Sequence, residues 1–223
     1  MFASTDACDL TPAPSTKRHR RHANPFTVRH DLSHVDVRAL FARPAPLAID
    51  VGCGPGLFVQ QLAQAHPEYN VLGLEIRPHL VASTLALAQE AGLSNVQCLL
   101  ANANLHLPKL LLPRSVAFMS INFPDPWYKK RHHKRRVVNL DWLMAMGPTL
   151  QDGAQIHAMS DYLPVAEHMR AALREAPGFE DVYPGESWPE HSTTGLTSER
   201  EQTHMGRGEP IYRMTFRYRG AHF

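Results

Sequence analysis

Apolar residues along the chain gather in short runs separated by polar turns. Leu47–Val51, Asn70–Leu74, Val96–Leu100, Val116–Ile121 and Ala154–Met159 are brief, largely apolar and bounded by Gly, Pro, Asn or Asp. Such runs predict buried strands. The segments between them change period. Leu57 to about His66, Arg77–Ala91, Val137–Leu150 and Val165–Ala176 carry apolar residues at helical spacing, and Gly92 caps the second of these. Beyond Phe179 the pattern returns to strand, ending with Ile211–Tyr218. Strands alternating with helices predict an α/β fold: a mostly parallel sheet, helices on both faces and an antiparallel last strand. The polar stretch from Ser192 to Gly208 is too long for a hairpin connection and is expected to be functional or mobile.

The polar residues that end the strands carry the chemistry. Asp50, Glu75, Asn102, Asp125 and Asp161 all fall at or just beyond the carboxyl ends of predicted strands. In open α/β sheets that edge is where ligands bind. Asp50 leads into Gly52-Cys53-Gly54-Pro55-Gly56, a loop in which Gly52 and Gly54 let the backbone turn tightly and approach a ligand. The loop lacks the Gly-Lys-Ser/Thr of a phosphate-binding P-loop, and its G-x-G-x-G spacing is not the dinucleotide fingerprint. Glu75, roughly 20 residues further on, is placed to accept hydrogen bonds from ribose hydroxyls. Asn102 is either a turn residue or a carboxamide able to pair with an adenine edge.

The segment Asn122-Phe123-Pro124-Asp125-Pro126-Trp127 sets a carboxamide, a carboxylate and an aromatic ring at the end of the fourth strand. Its prolines imply a stiff, extended backbone. Lys129 to Arg136 follows, with six Lys/Arg and two His in eight residues and no acid. A Pro-Asp-Pro turn ahead of a solvated basic face has the same composition. The charge distribution favours the functional alternative. The net charge is only +2, yet residues 17–22 and 129–136 hold ten of the 23 Lys and Arg, leaving an otherwise acidic body. Two basic patches on such a body imply a localised contact with a polyanion.

Composition excludes several classes. Cys8, Cys53 and Cys98 are odd in number, fit no metal spacing and imply a reduced, cytoplasmic protein. No run reaches membrane-spanning length, and the N-terminus has no secretory apolar segment, so no membrane contact is expected. The expected organisation is a disordered tail over residues 1–16, a basic arm and lead-in over 17–46, and one domain over 47–223.

With these residues assembled, the chain resembles the bacterial tRNA (guanine-N7-)-methyltransferase family from about Arg18 to Tyr218. Residues 122–136 carry the most specific part of the resemblance. Ala48 to Gly56 is shared with class I methyltransferases at large, and Ser198-Glu199-Arg200-Glu201 followed by Gly208-Glu-Pro-Ile-Tyr212 is similar to the family's C-terminal pattern. The resemblance implies a Rossmann-like class I methyltransferase fold and S-adenosylmethionine as cofactor, with no metal. It implies that Asp50, Gly52, Gly54, Glu75, Asn102 and Asp125 meet the cofactor and that Asp125 is catalytic. Lys129, Asp161, Ser198, Glu199, Arg200 and Glu201 would meet the guanosine or its surroundings. Arg131, His132, His133, Lys134, Arg135 and Arg136 would meet tRNA, and the substrate would be guanine 46 of the variable loop. Asp125 would hold either the guanine edge or the cofactor's amine. The family usually has Thr where Ser198 stands, often Asp at Asn102 and often Glu at Asp50. No protein partner is implied, the chain being a monomer or a homodimer. The rival readings are an exocyclic-amine methyltransferase, whose [DNS]-Pro-Pro-aromatic motif Asp125-Pro126-Trp127 half matches, and a non-catalytic RNA-binding protein on this fold.

Overall fold

The computed structural model describes Val28 and residues 31–220. The tail and the basic cluster at 17–22 lie outside the described residues. Seven strands, β1 (Leu47–Val51), β2 (Asn70–Glu75), β3 (Val96–Leu100), β4 (Val116–Asn122), β5 (Leu150–Ser160), β6 (Phe179–Asp181) and β7 (Tyr212–Tyr218), form one sheet in the order β3-β2-β1-β4-β5-β7-β6. β1 to β5 pair in parallel, while β7 runs antiparallel to both β5 and β6. The order reverses between β1 and β4, which opens a crevice at the carboxyl ends of the strands.

The helices are α1 (Leu57–Ala65), α2 (Pro78–Glu90), α3 (Ala103–Leu110), α4 (Leu140–Met146), α5 (Leu163–Glu175) and α6 (Glu199–Met205). The central strands are buried on both faces, so their sequences are near-continuous apolar runs rather than alternating ones. One core holds Ile49, Leu72, Ile121, Met146, Ile156 and Phe216, and a second packs Phe58, Val59 and Leu62 of α1 against Ala48 and Val71. Val37 and Phe41, in the lead-in, are buried against the first core.

Four segments differ from the sequence reading. The turn after β3 continues into α3, capped by Asn102 and tolerating Pro108 in its last turn. α4 is short because Gly147 and Pro148 convert its end to a 3-10 turn. β5 starts at Leu150, four residues early, with a register shift against β4 and Gly153 at a φ of 82°. The stretch from Ser192 to Gly208 contains α6, whose Ser198 and Glu201 form a reciprocal capping box. Among the described residues no helix is long and apolar enough to cross a membrane.

Candidate active site

A cavity of about 460 Å³ opens at the carboxyl edge of the sheet, lined by Asp50, Gly52, Gly54, Glu75, Asn102 and Asp125. The fold therefore brings together residues up to 75 positions apart in the chain. Each is held for a local reason.

Asp50 is the fourth residue of β1 and lies opposite Ser120 of β4. Its Oδ1 accepts the Ser120 hydroxyl at 2.7 Å and lies 3.5 Å from Asn122 Nδ2. The side chain is only 2% exposed. Burial pushes its carboxyl up to about 7; the Ser120 hydrogen bond opposes this, and the negative charge of Glu75 adds to it. No cation pairs with Asp50 among the described residues.

Glu75 closes β2 and is equally buried. Its carboxylate accepts backbone N–H groups from Gly54 at 3.1 Å, Ile76 at 2.7 Å and Arg77 at 3.1 Å. Arg77 also forks onto both oxygens through Nε and Nη2. Glu75 thus ties the glycine loop to the end of the neighbouring strand. Gly54 needs its left-handed φ of 59° to present that N–H. Gly56 is constrained differently, since a Cβ there would lie 2.7 Å from Thr84 and force α1 away from α2.

Asn102 is buried, and its Oδ1 accepts from the backbone N–H of Asn104, so its first role is to start α3. The helix it starts forms part of the cavity wall.

The motif after β4 is not uniformly extended, contrary to the expectation from its prolines. Phe123 and Trp127 have left-handed φ values of 51° and 45° and bracket Pro124-Asp125-Pro126. Such φ values cost on the order of 1–3 kcal/mol each in non-glycine residues and persist only where packing dictates them. Phe123 donates its N–H to Met159 O at 2.9 Å, prolonging the β4–β5 pairing, and its ring stacks on His204 at 5.5 Å between centroids. Trp127 is buried, with the Arg135 guanidinium 5.0 Å from its ring centre. The two turned residues fix Asp125 at the cavity wall.

The basic run divides in two. Residues 130–135 form a 3-10 helix. Arg136 is buried and donates from Nε to Pro126 O at 3.1 Å, and Arg135 lines the cavity. Lys129, Arg131 and Lys134 are exposed, and His132 and His133 half-buried.

The C-terminal residues divide likewise. Ser198, Glu199 and Arg200 line the cavity. Glu201 does not line it: only 1% exposed, it accepts from Arg213 Nε at 2.7 Å and caps α6. Asp161, just beyond β5, accepts from Arg200 Nη2 at 3.0 and 2.8 Å and lies 3.2 Å from His204 Nε2. Sequence reasoning missed His204; it named Asn122 only as the carboxamide of the motif and expected Arg135 to meet tRNA, whereas both line the cavity. The Asn122 Oδ1 is buried and finds no hydrogen-bond donor.

A buried carboxylate without a cation, an acceptor without a donor and a glycine loop with open space at Gly52 and Gly54 suit a cationic, ribose-bearing ligand. S-adenosylmethionine fits this donor and acceptor set. Among the described residues no group of three His, Cys, Asp or Glu side chains is placed to hold a metal ion.

The sheet order and the ligand edge define a class I methyltransferase. Among solved structures, the 16S rRNA methyltransferase KamB superposes with a TM-score of 0.57 at 19% identity, covering 81% of this chain and 91% of that one. TrmN from Thermus thermophilus gives 0.53 at 20% identity over 84% of this chain and 48% of that one. The model of the family described as "Putative methyltransferase" matches residues 44–214. The tRNA (guanine-N(7)-)-methyltransferase of Synechococcus sp. (strain JA-3-3Ab) is 38% identical over 201 residues, covering 88% of this chain and 84% of the relative. That of Thermosynechococcus vestitus is 35% identical over 206 residues, with 89% and 94% covered. The chain belongs to the bacterial tRNA (guanine-N7-)-methyltransferase family.

Proposed function

We propose that this protein transfers a methyl group from S-adenosylmethionine to N7 of a guanine in tRNA, at position 46 of the variable loop. One observation carries the reading: the Asp125 motif, with Asp50, Glu75 and Asn102, lines a single cavity beside a turn of exposed cations. Asp50 and the Asn122 carbonyl are suited to the ligand's ammonium, and Glu75 to ribose hydroxyls, which would take oxygens now held by Arg77.

S-adenosylmethionine supplies an electrophilic methyl group. Guanine N7 already carries an in-plane lone pair, so no residue need remove a proton before attack. The work of the protein is then to align the two reactants and exclude water. Asp125 holds the guanine N1–H/N2–H edge or the cofactor's amine. Arg200, fixed on Asp161 and 5.2 Å from the Phe123 ring centre, forms part of the same wall. Lys129, Arg131 and Lys134 meet phosphates, and the basic sequence at 17–22 is a second candidate for phosphate contact. The reaction calls for no metal and no protein partner, and the reading places the protein in the cytoplasm.

The test is nucleoside mass spectrometry of bulk tRNA incubated with protein and S-adenosylmethionine. 7-methylguanosine should accumulate, and chain cleavage at the methylated site should map to position 46. N2-methylguanosine instead would favour the exocyclic-amine reading. No methylated nucleoside would favour a binding protein.

A further inference from the structure

Tyr128 follows the cavity-lining Trp127 and precedes Lys129, yet its side chain is turned outward. At 59% exposure it is more exposed than any other large hydrophobic side chain among the described residues. A single exposed ring is ordinary, but this one has structured surroundings. The ring of Tyr162 meets it edge to face, 5.2 Å between centroids and 68° between planes. Tyr162 and Leu163 are themselves more than a third exposed. The inner side of Tyr128 is partly buried, and that burial, followed by the charge of Asp161, pushes the phenol up, while Arg200 pulls it down and Asp125 adds a small upward push. The ring therefore stands at the rim of the cavity, within electrostatic reach of Asp125, Asp161 and Arg200. The exposed cations Lys129, Arg131 and Lys134 follow it directly in the chain.

An aromatic face at the mouth of a polar cavity, followed at once by exposed cations, has the chemistry of a single-stranded nucleic-acid site. The cations follow phosphates, and the ring takes a base. A guanine that presents N7 to a buried methyl donor must leave its stack, and a base that unstacks needs a new π-face. We propose that Tyr128, steadied edge-on by Tyr162, is the stacking platform for an unstacked nucleobase of the RNA at the mouth of the cavity. The inference rests on the RNA-methylating function proposed above. The base is the accepting guanine or its immediate neighbour, and both offer the same π-face.

Stacking needs the ring and not the hydroxyl, which sets the test. With bulk tRNA, Tyr128→Ala should raise KM for tRNA about 5- to 150-fold, the range found for losing one base–aromatic stack. Tyr128→Phe should stay within about twofold of wild type. The slope of affinity against salt should be the same in all three proteins, since no charge is removed. Affinity for S-adenosylmethionine should be unchanged. tRNA carrying 2-aminopurine at the methylated position, or at the next nucleotide, then identifies the base. The stacked one is that whose emission on binding differs between wild-type and Tyr128→Ala proteins. Wild-type KM in Tyr128→Ala, equal loss in Tyr128→Phe, or no emission difference at either position would overturn the proposal. A wild-type protein that leaves tRNA unmethylated would instead remove the function on which it rests.

Discussion

The Asp50 carboxylate accepts the Ser120 hydroxyl at 2.7 Å across the β1–β4 pairing, at the point where the strand order reverses. That neutral hydrogen bond does not offset burial, which pushes the carboxyl up to about 7. A ligand cation would supply what the protein alone does not.

A pH dependence follows with a definite sign. The folded pKa of Asp50 lies above its ordinary 3.8, so the ionised form is the disfavoured one in the ligand-free protein. This group's contribution to stability declines as pH rises from about 4 to about 7 and is constant above that. Binding of a cation needs the ionised form and should strengthen in the same direction. Between about pH 5.5 and about pH 7 the affinity for S-adenosylmethionine, read by calorimetry, should rise roughly 15-fold, the change in ionised fraction for a pKa near 7. In Asp50→Asn that dependence should vanish. An unchanged pH dependence in the variant would assign the titration elsewhere.

Glu75→Ala should weaken S-adenosylmethionine binding about ten- to hundredfold, because ribose hydroxyls would lose their acceptor at roughly 1–3 kcal/mol. The same change removes the acceptor for the Gly54 N–H, so the glycine loop should also exchange its amide hydrogens faster. Calorimetric affinity equal to wild type would take Glu75 out of the cofactor site.

The basic turn yields two different mutant phenotypes. Replacing Lys129, Arg131 and Lys134 with Ala should lower the salt slope of tRNA binding by roughly one per lost phosphate contact while leaving thermal stability unaltered. Arg136→Ala should instead lower the melting temperature, since its buried guanidinium hydrogen-bonds Pro126 O. A salt slope unmoved in the triple variant would make the turn a solvated face.

Glu201 is bound to Arg213 and to the α6 cap, so a variant can separate its structural contribution from a substrate contact. Glu201→Ala leaves the buried Arg213 guanidinium without its carboxylate, a change worth about 3–5 kcal/mol in comparable buried pairs. Activity lost in this variant should track a lowered melting temperature. A fully stable but inactive Glu201→Ala protein would restore Glu201 to the substrate site.

The legible parts of the fold and site share one property: each is written in a local pattern. β3 runs from Val96 to Leu100 as its apolar run predicts, and the strand-end positions of Asp50, Glu75 and Asp125 followed from the strand boundaries. The parts that were not legible depend on contacts between distant segments. α3 is hidden because Asn102 and Pro108 both read as turn residues, and only packing such as the Trp142 Nε1 bond to Ala103 O makes the helix worthwhile. The left-handed turn at Phe123 packs on His204, from a distant segment, and that at Trp127 on Arg135, which folds back from eight residues on. A dense basic run, likewise, gives no sign that Arg136 is folded inward while Lys134 is not.

The central claim is that the Asp125 motif is where methyl transfer occurs, and single-turnover kinetics of Asp125→Asn test it most directly. Asn keeps the turn conformation but offers one acceptor oxygen where Asp offers two, and it adds donors. At saturating S-adenosylmethionine and tRNA, the variant should fold normally, bind tRNA through the basic turn and methylate at least about a hundredfold more slowly. A wild-type rate with weakened cofactor affinity would make Asp125 a binding residue only. Wild-type values of both would contradict the assignment of this cavity as the active site.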